Sequence, residues 1–136
     1  MAIKVAVLGA GTMGHALALV YALGGHEVRL TDSSMSMLDK AGGLMETALA
    51  SLVAHDEAPA GCTENPEAKR ALYAEVDRIA PEAAVIASNT SYLDPFPLIP
   101  ARRQARSLIM HWYTPPYLVD LVDIVGGPET DPRVVA

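Results

Sequence analysis

The stretch Lys4-Val5-Ala6-Val7-Leu8-Gly9-Ala10-Gly11-Thr12-Met13-Gly14 decides the fold. Residues 3–8, Lys4 apart, are apolar and rich in β-branched side chains, and Gly9 cuts the run off, which predicts a short strand of a parallel sheet buried on both faces. Glycines at G-x-G-x-x-G spacing then predict a tight turn into a helix. In such a turn the first glycine makes the bend, the second lets a pyrophosphate approach the backbone, and the third lets the helix pack closely on the strand. The amides at that end of a helix favour an anion.

Outward from this stretch, residues 15–23 are rich in Ala and Leu and stop at Gly24-Gly25, which suit a helix C-terminus. A second strand follows through Glu27-Val28-Arg29-Leu30-Thr31 and ends at Asp32. That acid lies about twenty residues past the loop, where a dinucleotide site places the carboxylate that binds a ribose hydroxyl. Ser33 and Ser34 come next, with no Arg or Lys to neutralise a 2′-phosphate, so the cofactor read here is NAD rather than NADP. The candidate cofactor residues are Gly9, Gly11, Thr12, Met13, Gly14 and Asp32. The competing reading is a βαβ unit that binds nothing. The complete order of strand, glycine turn, helix, strand and acid favours the cofactor.

Further along, apolar residues at Met37, Ala41, Leu44, Met45, Ala48, Leu52 and Val53 predict a helix over 34–55. Residues 56–64 carry no strand pattern. Asn65-Pro66-Glu67 then supplies an N-cap, a proline at the first helical position and an acid in the first turn, predicting a helix to Ala80 that stops at Pro81. Ala84 to Ala87 reads as a third strand delivering Ser88-Asn89-Thr90-Ser91 to its C-terminal end, the edge where an open parallel sheet binds ligands. Residues 92–100, with three prolines, read as a turn-rich crossing or a short helix. Ser107 to Trp112 is a fourth strand ending in His111, and Val119 to Val125, with Asp120 and Asp123, is a fifth. Glu129-Thr130-Asp131-Pro132 reads as one more helix start. A fold of this kind places another strand beside the first, and no apolar run supplies it, so residues are expected to be missing near Gly61-Cys62-Thr63.

The 136 residues suit a single core, and a net charge of −6 argues against nucleic acid as a partner. Arg102, Arg103 and Arg106 are expected to form a solvated face. Cys62 is the one cysteine, so no disulfide framework or thiolate metal cluster is expected, and a reducing, cytoplasmic setting fits. Lys4 and the glycines interrupt the N-terminal apolar run, which excludes it as a signal or membrane segment. The four histidines have no metal-ligand spacing.

Three stretches together resemble the L-3-hydroxyacyl-CoA dehydrogenase family: K-V-A-V-L-G-A-G-T-M-G at 4–14, A-S-N-T-S at 87–91, and H-W-Y-T-P-P with L-V-D-I-V across 111–125. The resemblance implies an α/β, Rossmann-type doubly wound, mostly parallel sheet with helices on both faces. Residues 1–126 would be the NAD-binding domain and 127–136 the start of a C-terminal continuation, the family's helical domain that dimerises and closes over the site. It further implies that His111 is the general base, that Asp123 orients it where the family has a glutamate, that Ser91 contacts the reacting oxygen, and that Asn89 lies near the nicotinamide end of NAD. An imidazole titrating near neutral pH suits that task, and a neighbouring carboxylate favours its charged form. Asp123 shares strand parity with Val119, Leu121 and Val125, where a carboxylate is costly to bury without a partner; the competing reading has His111 as a satisfied polar residue at a strand end and Asp123 exposed on an edge strand.

Two departures bear on the substrate. Thr114 stands where the family has an asparagine, and between Asp32 and Ala68 the one Lys or Arg is Lys40, few cations for the phosphates of coenzyme A. The function read here is therefore NAD-dependent oxidation of an L-3-hydroxyacyl-CoA to the 3-ketoacyl-CoA. The alternatives are oxidation of a free hydroxy acid or a non-catalytic NAD-binding fragment. The partners are a small-molecule substrate and a second copy in a homodimer, with no nucleic acid and no membrane.

Overall fold

The computed structural model describes residues 1–54, 65–119 and 121–136. The stretch 56–64 with Cys62, and Asp120, lie outside the described residues. The chain divides into two compact units, Met1–Cys62 with Tyr113–Leu121, and Thr63–Trp112 with Val122–Ala136.

In the first unit, β1 (Lys4–Leu8) and β2 (Glu27–Thr31) pair in parallel, with Lys4 opposite Glu27 and Leu8 opposite Thr31. Parallel neighbours need a crossover, and α1 (Thr12–Leu23) supplies it. Its buried residues are His15, Ala16, Ala18 and Leu19, small enough for the most part to bring the helix close to the strands. Next comes α2 (Met35–Ala54), packed on α1, with Ala41 and Ala48 buried two turns apart. The expected double-sided burial of β1 is not what forms. Val5 and Val7 are half-buried, whereas Lys4, Ala6 and Leu8 are exposed. Period-2 geometry explains the split, because Val7 faces α1 and the alternate side chains point to the opposite face, which no described helix of this unit covers.

The second unit opens with α3 (Pro66–Ile79), whose first turn is capped as the sequence predicts: the Asn65 side chain accepts from the amides of Glu67 and Ala68 at 3.0 and 3.1 Å. Its sheet has the order β3 (Ile86–Ser88), β4 (Ser107–Trp112), β5 (Val122–Gly126). A 3₁₀ turn at Phe96–Leu98 and α4 (Ala101–Gln104) carry the chain from β3 to its parallel neighbour β4. The last element, α5 (Pro132–Val135), starts where Asp131 accepts from the Arg133 amide at 2.9 Å. Tyr73, Ile86, Leu98 and Ile99 form a buried cluster.

The fifth strand starts later than the sequence suggests and runs antiparallel to β4. The connection 113–121 is too short for a parallel crossover, which takes about a dozen residues or more.

Of the arginine trio, Arg102 is exposed as expected and Arg103 departs from the solvated face. Arg103 is 4% exposed. Its guanidinium donates to Asp77 Oδ1 at 2.8 Å and to the carbonyls of Asp77, Ala80 and Pro81 at 3.1, 2.6 and 2.7 Å. Arg102 donates to the other Asp77 oxygen at 3.0 Å, and Arg106 to the Ala83 carbonyl at 3.0 Å. The physical reason is that the last carbonyls of a helix have no partner within it, and five guanidinium donors on one side chain can satisfy several of them. Arg103, followed by Arg102, holds the Asp77 carboxyl below its ordinary pKa. A depressed carboxyl contributes stability that is complete above the unfolded-state pKa and is lost as pH falls through the lower native value. Arg103→Met should therefore destabilise the fold by about 2 kcal/mol through orphaned carbonyls. Urea unfolding at neutral pH measures this, and the difference from the parent should shrink in acid as Asp77 protonates.

Candidate functional site

The glycine loop of the first unit is built by close approach. Gly9 adopts φ +104°, open to glycine at no cost, and its amide donates to the Thr31 carbonyl at 2.7 Å. A Cβ on Gly14 would lie 1.7 Å from the Gly9 carbonyl oxygen, so the first turn of α1 sits against the loop backbone only because Gly14 has no side chain. No side chain caps α1, and the position a Gly11 Cβ would take is open space. An uncapped helix start beside open space is where an anion can meet first-turn amides.

Asp32 closes the other side of the loop. Its Oδ2 accepts from the Ala10 amide at 2.7 Å and its Oδ1 from the Ser34 amide at 2.8 Å. These bonds, the Ala10 amide foremost, hold its pKa below the ordinary carboxylate value. Asp32 is thus an acceptor-only carboxylate with lone pairs remaining for hydroxyl donors. The residues present fit a dinucleotide, with amides for the pyrophosphate and a carboxylate for the ribose. Two contacts went unread in the sequence. The Nδ1 of buried His15 donates to the Gly11 carbonyl at 2.7 Å, which assigns the proton to that nitrogen. The Thr114 hydroxyl donates to Met13 Sδ at 2.9 Å, tying the segment after β4 to the loop within one unit.

The second unit gathers Asn89, Ser91, His111 and Asp123. Each residue of the run from Ser88, the last residue of β3, to Ser91 has its own partner. Ser88 Oγ accepts from the Tyr73 hydroxyl at 3.1 Å in the core. Asn89 Oδ1 accepts from the Trp112 amide at 2.8 Å. Thr90, also unread in the sequence, is buried; its Oγ1 donates to the Leu93 carbonyl at 2.9 Å and accepts from the Leu93 amide at 3.1 Å, closing the loop on itself. Ser91 Oγ lies 3.1 Å from His111 Nε2.

On the far side of the ring, His111 Nδ1 is 3.7 Å from Asp123 Oδ2, an ion-pair separation longer than a hydrogen bond. The two residues stand directly opposite each other in the β4–β5 ladder. The Asp123 side chain is 50% exposed, which agrees with the reading of Asp123 as exposed on an edge strand. An edge strand leaves it open to water, and no desolvation cost has to be met. Ser91, His111 and Asp123 border a cavity of about 390 Å³ whose apolar wall includes Leu93, Phe96 and Val125.

The model of the 3-hydroxyacyl-CoA dehydrogenase NAD-binding domain matches residues 4–61 and 60–136. The chain belongs to the 3-hydroxyacyl-CoA dehydrogenase family. The two matches meet at residues 60–61, beside the Gly61-Cys62-Thr63 stretch where the sequence reading expects residues to be missing. A lambda-crystallin homolog of Bos taurus is 30% identical over 165 aligned positions, covering 96% of this chain and 50% of the relative. Because 165 exceeds the length of the chain, that relative carries residues with no counterpart here. An L-carnitine dehydrogenase of Nocardiopsis dassonvillei is 42% identical over 69 residues, covering 50% of this chain and 21% of the relative. Among solved structures, 3-hydroxybutyryl-CoA dehydrogenase of Escherichia coli superposes with a TM-score of 0.84 at 27% identity, covering 99% of this chain and 34% of that one. The chain thus has the Rossmann-like α/β fold of this family and spans about half the length of curated relatives such as the bovine one.

The Gly14 geometry gives a direct test of the NAD-binding loop. Gly14→Ala should force α1 off the loop, cost about 1–3 kcal/mol of stability and weaken NADH binding at least about tenfold. Thermal unfolding and NADH fluorescence titration, run on the same preparation, check both.

Proposed function

We propose that the protein oxidises an L-3-hydroxyacyl-CoA to the 3-ketoacyl-CoA with NAD, this chain supplying the cofactor loop and the proton-transfer group. The observation that carries the reading is that the two ring nitrogens of His111 are flanked by Ser91 Oγ at 3.1 Å and Asp123 Oδ2 at 3.7 Å, on the wall of an apolar-sided cavity. NAD, when bound, accepts the hydride that leaves the carbon bearing the hydroxyl. Gly9, Gly11, Thr12, Met13 and Gly14 would hold its pyrophosphate, and Asp32 would take a ribose hydroxyl.

In this reading Nδ1–H faces Asp123 and Nε2 is the accepting nitrogen, with Ser91 Oγ 3.1 Å from it. A substrate hydroxyl entering the cavity replaces that partnership. His111 Nε2 then takes the hydroxyl proton, while Asp123 stabilises the imidazolium that results. The Ser91 hydroxyl donates to the oxygen as it becomes a carbonyl. Residues 1–126 serve as the NAD-binding domain in this reading, and the resemblance adds a cytoplasmic homodimer. No helix among the described residues is long and apolar enough to cross a membrane.

A second reading, oxidation of a free hydroxy acid, is favoured by the relative named L-carnitine dehydrogenase and by Lys40 standing alone between Asp32 and Ala68. Comparing turnover of 3-hydroxybutyryl-CoA with that of free 3-hydroxy acids separates the two, and faster turnover of the free acid overturns the thioester reading. NAD-dependent turnover of neither substrate leaves a non-catalytic NAD-binding fragment.

Two residue roles are open to measurement. His111→Gln should lower kcat by about 10²- to 10⁴-fold, the usual contribution of a positioned base. NADH should bind at least about tenfold more tightly than NADPH, and Asp32→Asn should narrow that ratio by removing a charged acceptor from the ribose and its repulsion from a 2′-phosphate. Fluorescence titrations with both cofactors at one ionic strength read the second effect.

A further inference from the structure

The Asn89 side chain has a partner that the cofactor reading leaves unexplained. The β3–β4 ladder pairs Ile86 with Ser107, Ala87 with Leu108 and Ser88 with Ile109, and β3 ends at Ser88. Beyond that last rung the two chains continue to the groups that do the chemistry, Ser91 on one and His111 on the other. Asn89 Oδ1 bridges the gap, accepting the amide of Trp112, the residue directly after His111, at 2.8 Å. The side-chain carbonyl thus does for β4 what a strand carbonyl can no longer do.

We infer that Asn89 is a positioning residue for the Ser91–His111 pair, acting through the backbone of β4. This inference rests on the functional reading above and deepens it. Two clasps hold Ser91 in place. The Asn89–Trp112 bond fixes the chain before it to the strand that carries His111, and the closed Thr90–Leu93 ring fixes the chain after it. Remove the first clasp and each strand survives, while the distance from Ser91 Oγ to His111 Nε2 loses its restraint. Misplacing reacting groups by about 1 Å can cost about 10²-fold in rate. The bond to Trp112 also orients the amide, since Oδ1 must be the atom that faces β4.

Asn89→Ala and Asn89→Asp separate this role from direct cofactor binding, because the aspartate keeps an acceptor for the Trp112 amide and loses the NH₂ group. The alanine variant should lose about 10- to 100-fold in kcat while its NADH dissociation constant stays within about twofold of the parent value. The aspartate variant should recover most of that loss. Its added carboxylate should also move the acid limb of the pH–rate profile upward, because a nearby negative charge stabilises the imidazolium. Parallel losses of NADH affinity and kcat in the alanine variant, or an aspartate variant as impaired as the alanine one, would overturn the positioning role. Ring ¹⁵N and ¹H resonances of His111 give a readout independent of turnover. They should move in Asn89→Ala and return in Asn89→Asp, and unchanged resonances overturn the inference. A parent protein that oxidises no hydroxy substrate defeats the functional reading alone, leaving the resonances to decide the clasp.

Discussion

The buried guanidinium of Arg103 is the constraint on which the second unit depends. At the end of α3 the chain must leave a helix and enter a strand, and the carbonyls at that turn have no helical partners. A single side chain gathers those of Asp77, Ala80 and Pro81, and Asp77 balances its charge. Burying a cation is costly unless it is paired and its donors are used, and here both conditions hold. The turn into β3 is fixed by this arrangement, and β3 in turn sets where Ser88-Asn89-Thr90-Ser91 emerges.

The run after β3 shows how a strand end becomes a site. Four successive polar side chains take four different partners: a core tyrosine, a neighbouring strand, their own loop and an imidazole. Asn89 and Thr90 bracket the fourth. The first unit follows the same logic at the end of its own parallel pair, where Asp32 grips the amides of Ala10 and Ser34 and so ties the end of β2 to the glycine turn after β1. The glycine turn, Asp32, Ser91 and His111 lie at or beyond the C-terminal ends of parallel-paired strands, where open α/β sheets generally bind ligands, while Asp123 comes from the start of antiparallel β5.

What the sequence discloses follows from how local the controlling physics is. Gly9 and Gly14 are legible because a bend and a close approach exclude side chains, and Asn65-Pro66-Glu67 because a cap is a matter of a few consecutive residues. Arg103 is not legible, since nothing near it in sequence says which carbonyls the fold will strand; the residues it serves lie at 77–82. The same holds for Thr114 on Met13, separated by a hundred positions. The direction of β5 could have been read from the shortness of 113–121, and the period-2 pattern of β1 could not tell which face a helix would cover. His111, Ser91 and Asp123 stand out by resemblance, while the exposure of Asp123 depends on β5 lying at the edge.

The pairing of His111 with Asp123 across an antiparallel ladder separates two things that sequence spacing merges. The distance between imidazole and carboxylate is set by strand register, so the number of residues in the connecting segment 113–121 does not enter it. Insertions or deletions there can reshape what lies beyond the strand ends and leave the acid opposite the base. A slip of one residue in the ladder, by contrast, would turn the carboxylate to the other face of the sheet. Strand register and the length of the connecting segment are thus two independent variables in this unit, and the first alone decides whether imidazole and carboxylate face each other.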